Sequence, residues 1–222
     1  MIKKRYQGES NDKERSMQKL IDAVGETIKT KGYTGLTATN ISKTAGLSRR
    51  LITFYFNSVE NLIETYIKGK DYWVTASGNA GALLESKKTS DTKEILETLL
   101  INQLDYFHRE DEMQKVVLWQ ISERSKIMFD IAEEREKLGS VFFDLADPFF
   151  QKTDVDIRAV SGLLVAGIYY MVLHAKSNDS LFCQIDINSP EGLARIKKTI
   201  TAIVDDTYKR AQNELDSLKE NG

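Results

Sequence analysis

Residues 37–56 read TATNISKTAGLSRRLITFYF, and this stretch decides the fold. Thr37 has the chemistry of an N-cap for a short helix ending at Ala45, with Ile41 and Ala45 four residues apart on its inward face. Gly46 breaks that helix, Leu47 plugs the turn, and Ser48 is placed to cap a second short helix from Arg49 to about Tyr55. Two short helices joined by a tight, glycine-containing turn make a helix-turn-helix. Ile41, Ala45, Leu47 and Ile52 supply its small core, which leaves Ser48, Arg49, Arg50 and Thr53 for the outer face. A braced, projecting helix of this kind fits a duplex major groove, about 12 Å wide.

Upstream, Met17, Leu20, Ile21, Val24 and Ile28 recur at spacings of three and four, the signature of one helix face. Gly32 ends this first helix, Lys29 and Lys31 sit where cations complement the helix dipole, and Tyr33 is expected to pack back on Ile28. Downstream, Asn57 with Glu60 has capping-box spacing and Ser58 is an alternative cap. The helix that follows, over 59–75, is apolar at Val59, Leu62, Ile63, Tyr66 and Ile67.

The pattern of the whole motif resembles the DNA-binding domain of the tetracycline-repressor (TetR) family over residues 14–74, with a linking helix from 58. The shared features are Lys31-Gly32-Tyr33, Leu36-Thr37, Ile41 with Ala45-Gly46-Leu47-Ser48, and Phe54-Tyr55-Phe56 followed by Asn57-Ser58, Glu60 and Leu62. The resemblance implies that Thr37 caps the second helix and offers its amide to phosphate, and that Tyr55 contacts the phosphate backbone. It also assigns Thr39, Lys43, Ser48, Arg49, Arg50, Thr53 and Phe54 to the DNA-facing set. The chain departs from the family with Thr39 where arginine is common, Val59 where lysine is common, Arg50 for a frequent glycine and Phe54 for a frequent histidine.

Beyond 75 the chain reads as helical, so the fold class is all-α with about nine helices, an N-terminal three-helix domain and a helical body; the resemblance implies that the body, 75–222, is a ligand-binding and dimerisation domain. Ser86–Thr92 reads as a loop, and Ile95, Leu96, Leu99, Leu100, Leu104 and Phe107 mark the next helix. Residues 111–152 are long enough for two helices, with Pro148 compatible with a kink, a stop or a tight bend. The segment 154–176 is apolar nearly all round, as for a helix covered on two sides. Pro190 opens a final amphipathic helix with Leu193, Ile196, Ile200, Ile203, Val204 and Leu215.

Composition narrows the function. Residues 1–60 hold 11 Lys and Arg against 6 Asp and Glu, and residues 61–222 hold 20 against 27. A basic head on an acidic body suits a polyanion-binding head. Lys3, Lys4 and Arg5 are either a minor-groove arm or a solvated tail. A single cysteine, Cys183, fits a reducing cytoplasm and excludes an internal disulfide. The first residues lack the apolar core of a signal peptide, and the uncharged run Ala159–Ala175 is short of the about 20 residues of a membrane span. No membrane partner is expected.

Enzyme chemistry has little support, since His108 and His174 are isolated and no glycine-rich phosphate loop occurs. No catalytic residue, metal site or cofactor is expected. The resemblance implies a homodimer on a pseudo-palindromic double-stranded operator, with helices 154–176 and 190–217 pairing as a four-helix bundle. It implies a repressor released by a small-molecule effector, whose wall candidates are Tyr66, Phe107, Trp119, Phe129, Tyr169, Tyr170 and His174. The alternative is an adaptor of the same fold that acts through protein partners.

Overall fold

A computed structural model describes residues 6–76 and 91–220. Lys3, Lys4 and Arg5 lie outside the described residues, as does the 86–90 part of the expected loop. The helices are α1 (Tyr6–Lys31), α2 (Ala38–Ala45), α3 (Arg50–Phe56), α4 (Val59–Lys70), α5 (Thr92–Arg109), α6 (Asp111–Ser122), α7 (Lys126–Phe150), α8 (Ile157–Asn178) and α9 (Pro190–Glu220). Residues 72–76 add a further helical turn, and among the described residues the only β-type pairing is an isolated bridge between Phe182 and Ile185. The all-α expectation holds.

The chain divides into two compact units, Met1–Val74 with Asp111–Glu133, and Thr75–Glu110 with Glu134–Gly222. In the first, α1 packs on α2, α4 and α6, and α3 packs on α4. Leu20, Val24, Ile28, Ile41, Leu62 and Ile67 are fully buried, each contributing about 1.5–3 kcal/mol of hydrophobic stabilisation. Residues 111–133 join this unit because Met113, Val116, Val117 and Trp119 of α6 turn an apolar face to it. In the second unit, α5 packs on both α8 and α9. Lys93 pairs with Asp205 at 2.8 Å, Lys197 pairs with Asp105 at 2.6 Å, and the Thr201 hydroxyl donates to Glu97 at 2.8 Å, all between α5 and α9.

Helix α1 begins at Tyr6, ahead of the apolar face that opens at Met17, because 6–16 has no proline and helix hydrogen bonding needs no apolar face. Tyr33 enters a 3-10 turn, Tyr33–Gly35, and its ring stacks on Trp119 at 5.7 Å. Two local expectations change. Helix α4 stops at Lys70 instead of 75, since buried Asp71 turns extended and its carboxylate accepts from the Trp73 and Val74 amides, starting a new turn. Pro148 ends nothing: α7 runs on to Phe150, the proline lying within its last turn.

Helix α8 differs from the expectation in what covers it. Its inward face, with Ile157, Ser161, Ile168, Val172 and Ala175, is buried, whereas Leu163 is 75% and Tyr170 57% exposed. By length and composition alone this helix is apolar enough to cross a membrane. Among the described residues, one side only is covered.

Candidate nucleic-acid interface

The helix-turn-helix is built by local hydrogen bonds. Thr37 is extended and its hydroxyl accepts from the Asn40 amide at 3.2 Å, capping α2. At the other end Gly46 is left-handed, with φ 65°, a conformation that costs glycine nothing and a branched residue much more. The Gly46 amide donates to the Lys43 carbonyl at 3.2 Å and the Leu47 amide to Ser42 at 3.0 Å. The turn is therefore closed by backbone alone. Ser48 makes the expected capping contact, its hydroxyl accepting from the Arg50 amide at 3.4 Å, and Arg49 is already helical at φ −55° and ψ −30°. Of the two caps weighed for α4, Ser58 accepts from the Asn61 amide at 3.1 Å, and Asn57 instead turns with φ 66°.

Side-chain contacts fix α2 against α1. The Thr27 hydroxyl donates to the Ala23 carbonyl at 2.6 Å and lies 3.4 Å from the Thr44 hydroxyl. The Lys31 ammonium donates to the Asn40 side chain at 3.1 Å, whose amide donates to the Gly35 carbonyl at 2.9 Å. Ile41, Ile52 and Phe56 are buried, and Ala45 and Leu47 are half-buried at the turn. Phe56 is thus core and its neighbours are not.

Thr37, Thr39, Lys43, Ser48, Arg49, Arg50, Thr53 and Phe54 are all exposed, and Tyr55 is half-buried. Phe54 stands out at 75% exposure, its ring held edge-on to Tyr55 at 5.1 Å. The structure brings these residues onto one hairpin of helices with three cations, Lys43, Arg49 and Arg50, that have no carboxylate within salt-bridge distance among the described residues. An exposed cationic ridge with one bare aromatic can meet phosphates and base edges at once.

The effector-wall candidates are divided between the two units. Tyr66, Trp119 and Phe129 belong to the first unit, and Phe107, Tyr169, Tyr170 and His174 to the second. Tyr66 is buried and its hydroxyl donates to the Glu112 carboxylate, which also faces the Lys70 ammonium at 3.7 Å. Trp119 is buried, with its ring nitrogen donating to Glu123 at 2.8 Å. Phe129 is exposed, in an open surface groove beside Ile121, Arg124 and Lys126. In the second unit Phe107 meets Tyr169 edge-to-face at 4.8 Å. Tyr170, His174 and Phe182 form a separate ring cluster, with the His174 Nε2 2.9 Å from the Ser180 hydroxyl.

Two side chains escaped sequence reasoning. Glu112 was invisible because its partner Tyr66 is 46 positions away. Gln103 carried a signal, a polar residue on the buried stripe of Leu96, Leu100, Leu104 and Phe107. Among the described residues no three His, Cys, Asp or Glu side chains gather as a metal site.

No protein-family model matches the sequence, and no curated protein matches it. Solved structures do. The chain is similar to a Clostridium perfringens protein described as a fatty acid metabolism regulator, at 18% identity over 84% of this chain and 97% of that one, with a TM-score of 0.62. It is similar to the transcriptional regulator FadR from Bacillus subtilis, solved with stearoyl-CoA, at 16% identity, 84% and 96% coverage and a TM-score of 0.59. NalD, the secondary repressor of the MexAB-OprM multidrug efflux pump in Pseudomonas aeruginosa, shares 15% identity at 85% and 96% coverage, with a TM-score of 0.53. The chain has the all-helical fold of the TetR-type regulators, with an N-terminal helix-turn-helix.

Proposed function

We propose that this protein is a sequence-specific DNA-binding transcriptional regulator, a non-enzymatic cytoplasmic repressor that a small-molecule effector releases from its operator. One observation carries the reading. A rigid α2–α3 hairpin, closed by Gly46 and capped by Thr37, leaves Arg49, Arg50, Thr53 and Phe54 exposed on a basic ridge. The fold shared with repressors such as NalD supports it. Residues 14–74 are the DNA-binding domain in this proposal, and 75–222 the effector and dimerisation domain.

The working form is a homodimer. A seven-residue reader helix spans only a few base pairs, so specificity calls for two copies on a pseudo-palindrome. The outer face of α8 supplies the contact: Leu163 and Tyr170 are exposed, and a Cβ added at Gly162 or Gly167 would meet no atom within 4 Å of its own chain. A bare apolar face flanked by glycines is the chemistry of a close, self-complementary helix packing. Effector binding in the body then favours the dimer geometry that DNA does not accept, with a typical coupling of about 1–3 kcal/mol.

Selection of bound sequences from random duplex DNA tests the proposal with the full-length protein. Enrichment of one pseudo-palindrome supports it. Recovery of no sequence over background rejects it and leaves the adaptor reading, to which Thr39 and Val59 in place of common phosphate-binding cations lend weight.

A further inference from the structure

The second unit contains a polar group in the wrong place for packing. Helix α5 turns Leu96, Leu100, Leu104 and Phe107 inward, and Gln103, at 1% exposure, falls on the same stripe. Both atoms of its amide head, Oε1 and Nε2, are buried without a hydrogen-bond partner among the described residues. A buried amide left in that state costs about 1–3 kcal/mol, and folded proteins pair nearly all such groups. Leucine or methionine would fill the same space without that cost.

The Ser and Thr hydroxyls buried elsewhere in this unit are accounted for. Ser161 donates to the Ile157 carbonyl at 2.8 Å and Thr207 to the Ile203 carbonyl at 2.7 Å. Thr92 faces Tyr208, whose pKa burial pushes up to about 12; among the described residues the Tyr208 hydroxyl and Asn188 Oδ1 are also buried without a partner, but only at Gln103 are both atoms of an amide left so. Among the described residues of the unit no Asp, Glu, Lys or Arg is buried. His108, next along α5, is driven towards its neutral form, first by burial and then by the Lys176 ammonium. One turn from Gln103, Phe107 and Tyr169 present an aromatic pair.

We infer that Gln103 is the polar anchor of the effector site, and that the site takes a neutral, mainly apolar molecule carrying one amide or lactam group. The inference rests on the effector-released reading above. A primary or secondary amide matches Gln103 atom for atom: its N–H donates to Oε1 and its carbonyl accepts from Nε2. An ionised headgroup would find no buried counter-charge here and pay its desolvation unaided. The stripe is closed over the amide in this state, so the ligand binds an opened form, and that difference between forms is what couples occupancy to a change in conformation.

Calorimetry and thermal unfolding of the full-length protein with decanamide, laurolactam and decanoate at pH 7.5 test this. Decanamide or laurolactam is expected to bind and raise Tm, with decanoate at least about tenfold weaker. Gln103→Met is expected to raise Tm without ligand and weaken amide binding about tenfold or more, two hydrogen bonds being removed; Gln103→Leu repeats the result. A lowered Tm in both variants means the amide is satisfied in solution by interior water or side chains, and overturns the inference. So does equal amide affinity in wild type and variants, or binding of neither amide. The sequence selection separates the two readings: amide binding through Gln103 with no selected operator sinks the regulator alone, and a selected operator with no amide response sinks this inference alone.

Discussion

The outer faces of α3 and α8 are both left uncovered by the described residues, with opposite chemistry. Helix α3 shows Arg50, Thr53 and Phe54 beside Arg49, and α8 shows Leu163, Tyr170 and two glycines. A cationic ridge is well solvated alone and gains from a polyanion by releasing its counterions. An apolar helix face is poorly solvated alone and gains only from another apolar surface. Exposure therefore has two meanings in one molecule: the first face suits nucleic acid, and the second, in the proposal above, suits a copy of itself.

The contrast can be broken from either side. Arg49→Ala with Arg50→Ala is expected to weaken operator binding on the order of a hundredfold or more, since each good base contact is worth about 1–3 kcal/mol of discrimination. Light scattering should still show the dimer. The log–log salt slope should become shallower by about 0.9 for each phosphate that the variant no longer neutralises. Unchanged affinity would remove α3 from the interface.

Gly162→Leu acts on the other face. Because a side chain there meets nothing in its own subunit, the helical circular dichroism should persist while the dimer dissociates. Palindrome binding should fall by about tenfold or more to the level of an isolated half-site, as the second reader stops acting intramolecularly. A variant that remains dimeric would move the interface off α8.

Smaller effects come from titration. Asp205 is held down to about 2 by hydrogen bonds from Lys209 and Lys93, the latter tying α5 to α9. A depressed carboxylate contributes stability above its ordinary value of 3.8 and loses it as pH falls through about 2. Asp205→Asn should flatten the acid limb of Tm against pH in that window. His108 is also depressed, by burial and by Lys176, so protonation opposes folding. Its contribution is complete above its ordinary 6.5 and declines as pH falls below it. His108→Gln should remove that slope, smallest of the four effects.

The first unit was legible because its signals are local. Thr37, Gly46 and the spacing of Ile41, Ala45 and Ile52 each act within one turn, so a single sequence carries them. Asp71 was missed because a buried carboxylate capping a new turn leaves no apolar period behind. In the second unit periodicity gave the helices but not their neighbours. Apolar positions around α8 announce two covers without saying that its own chain supplies one. Phe107 meets Tyr169 across 62 positions of sequence, a pairing no local pattern encodes.

Dimethyl sulfate footprinting on the selected operator tests the central claim most directly, because it reads guanine N7 in the major groove. Two paired α3 helices predict protected guanines in two symmetric half-sites, about 10 base pairs apart or a multiple of that. Unprotected guanines throughout, or protection in one half-site only, would contradict an account in which Arg49 and Arg50 enter the groove twice.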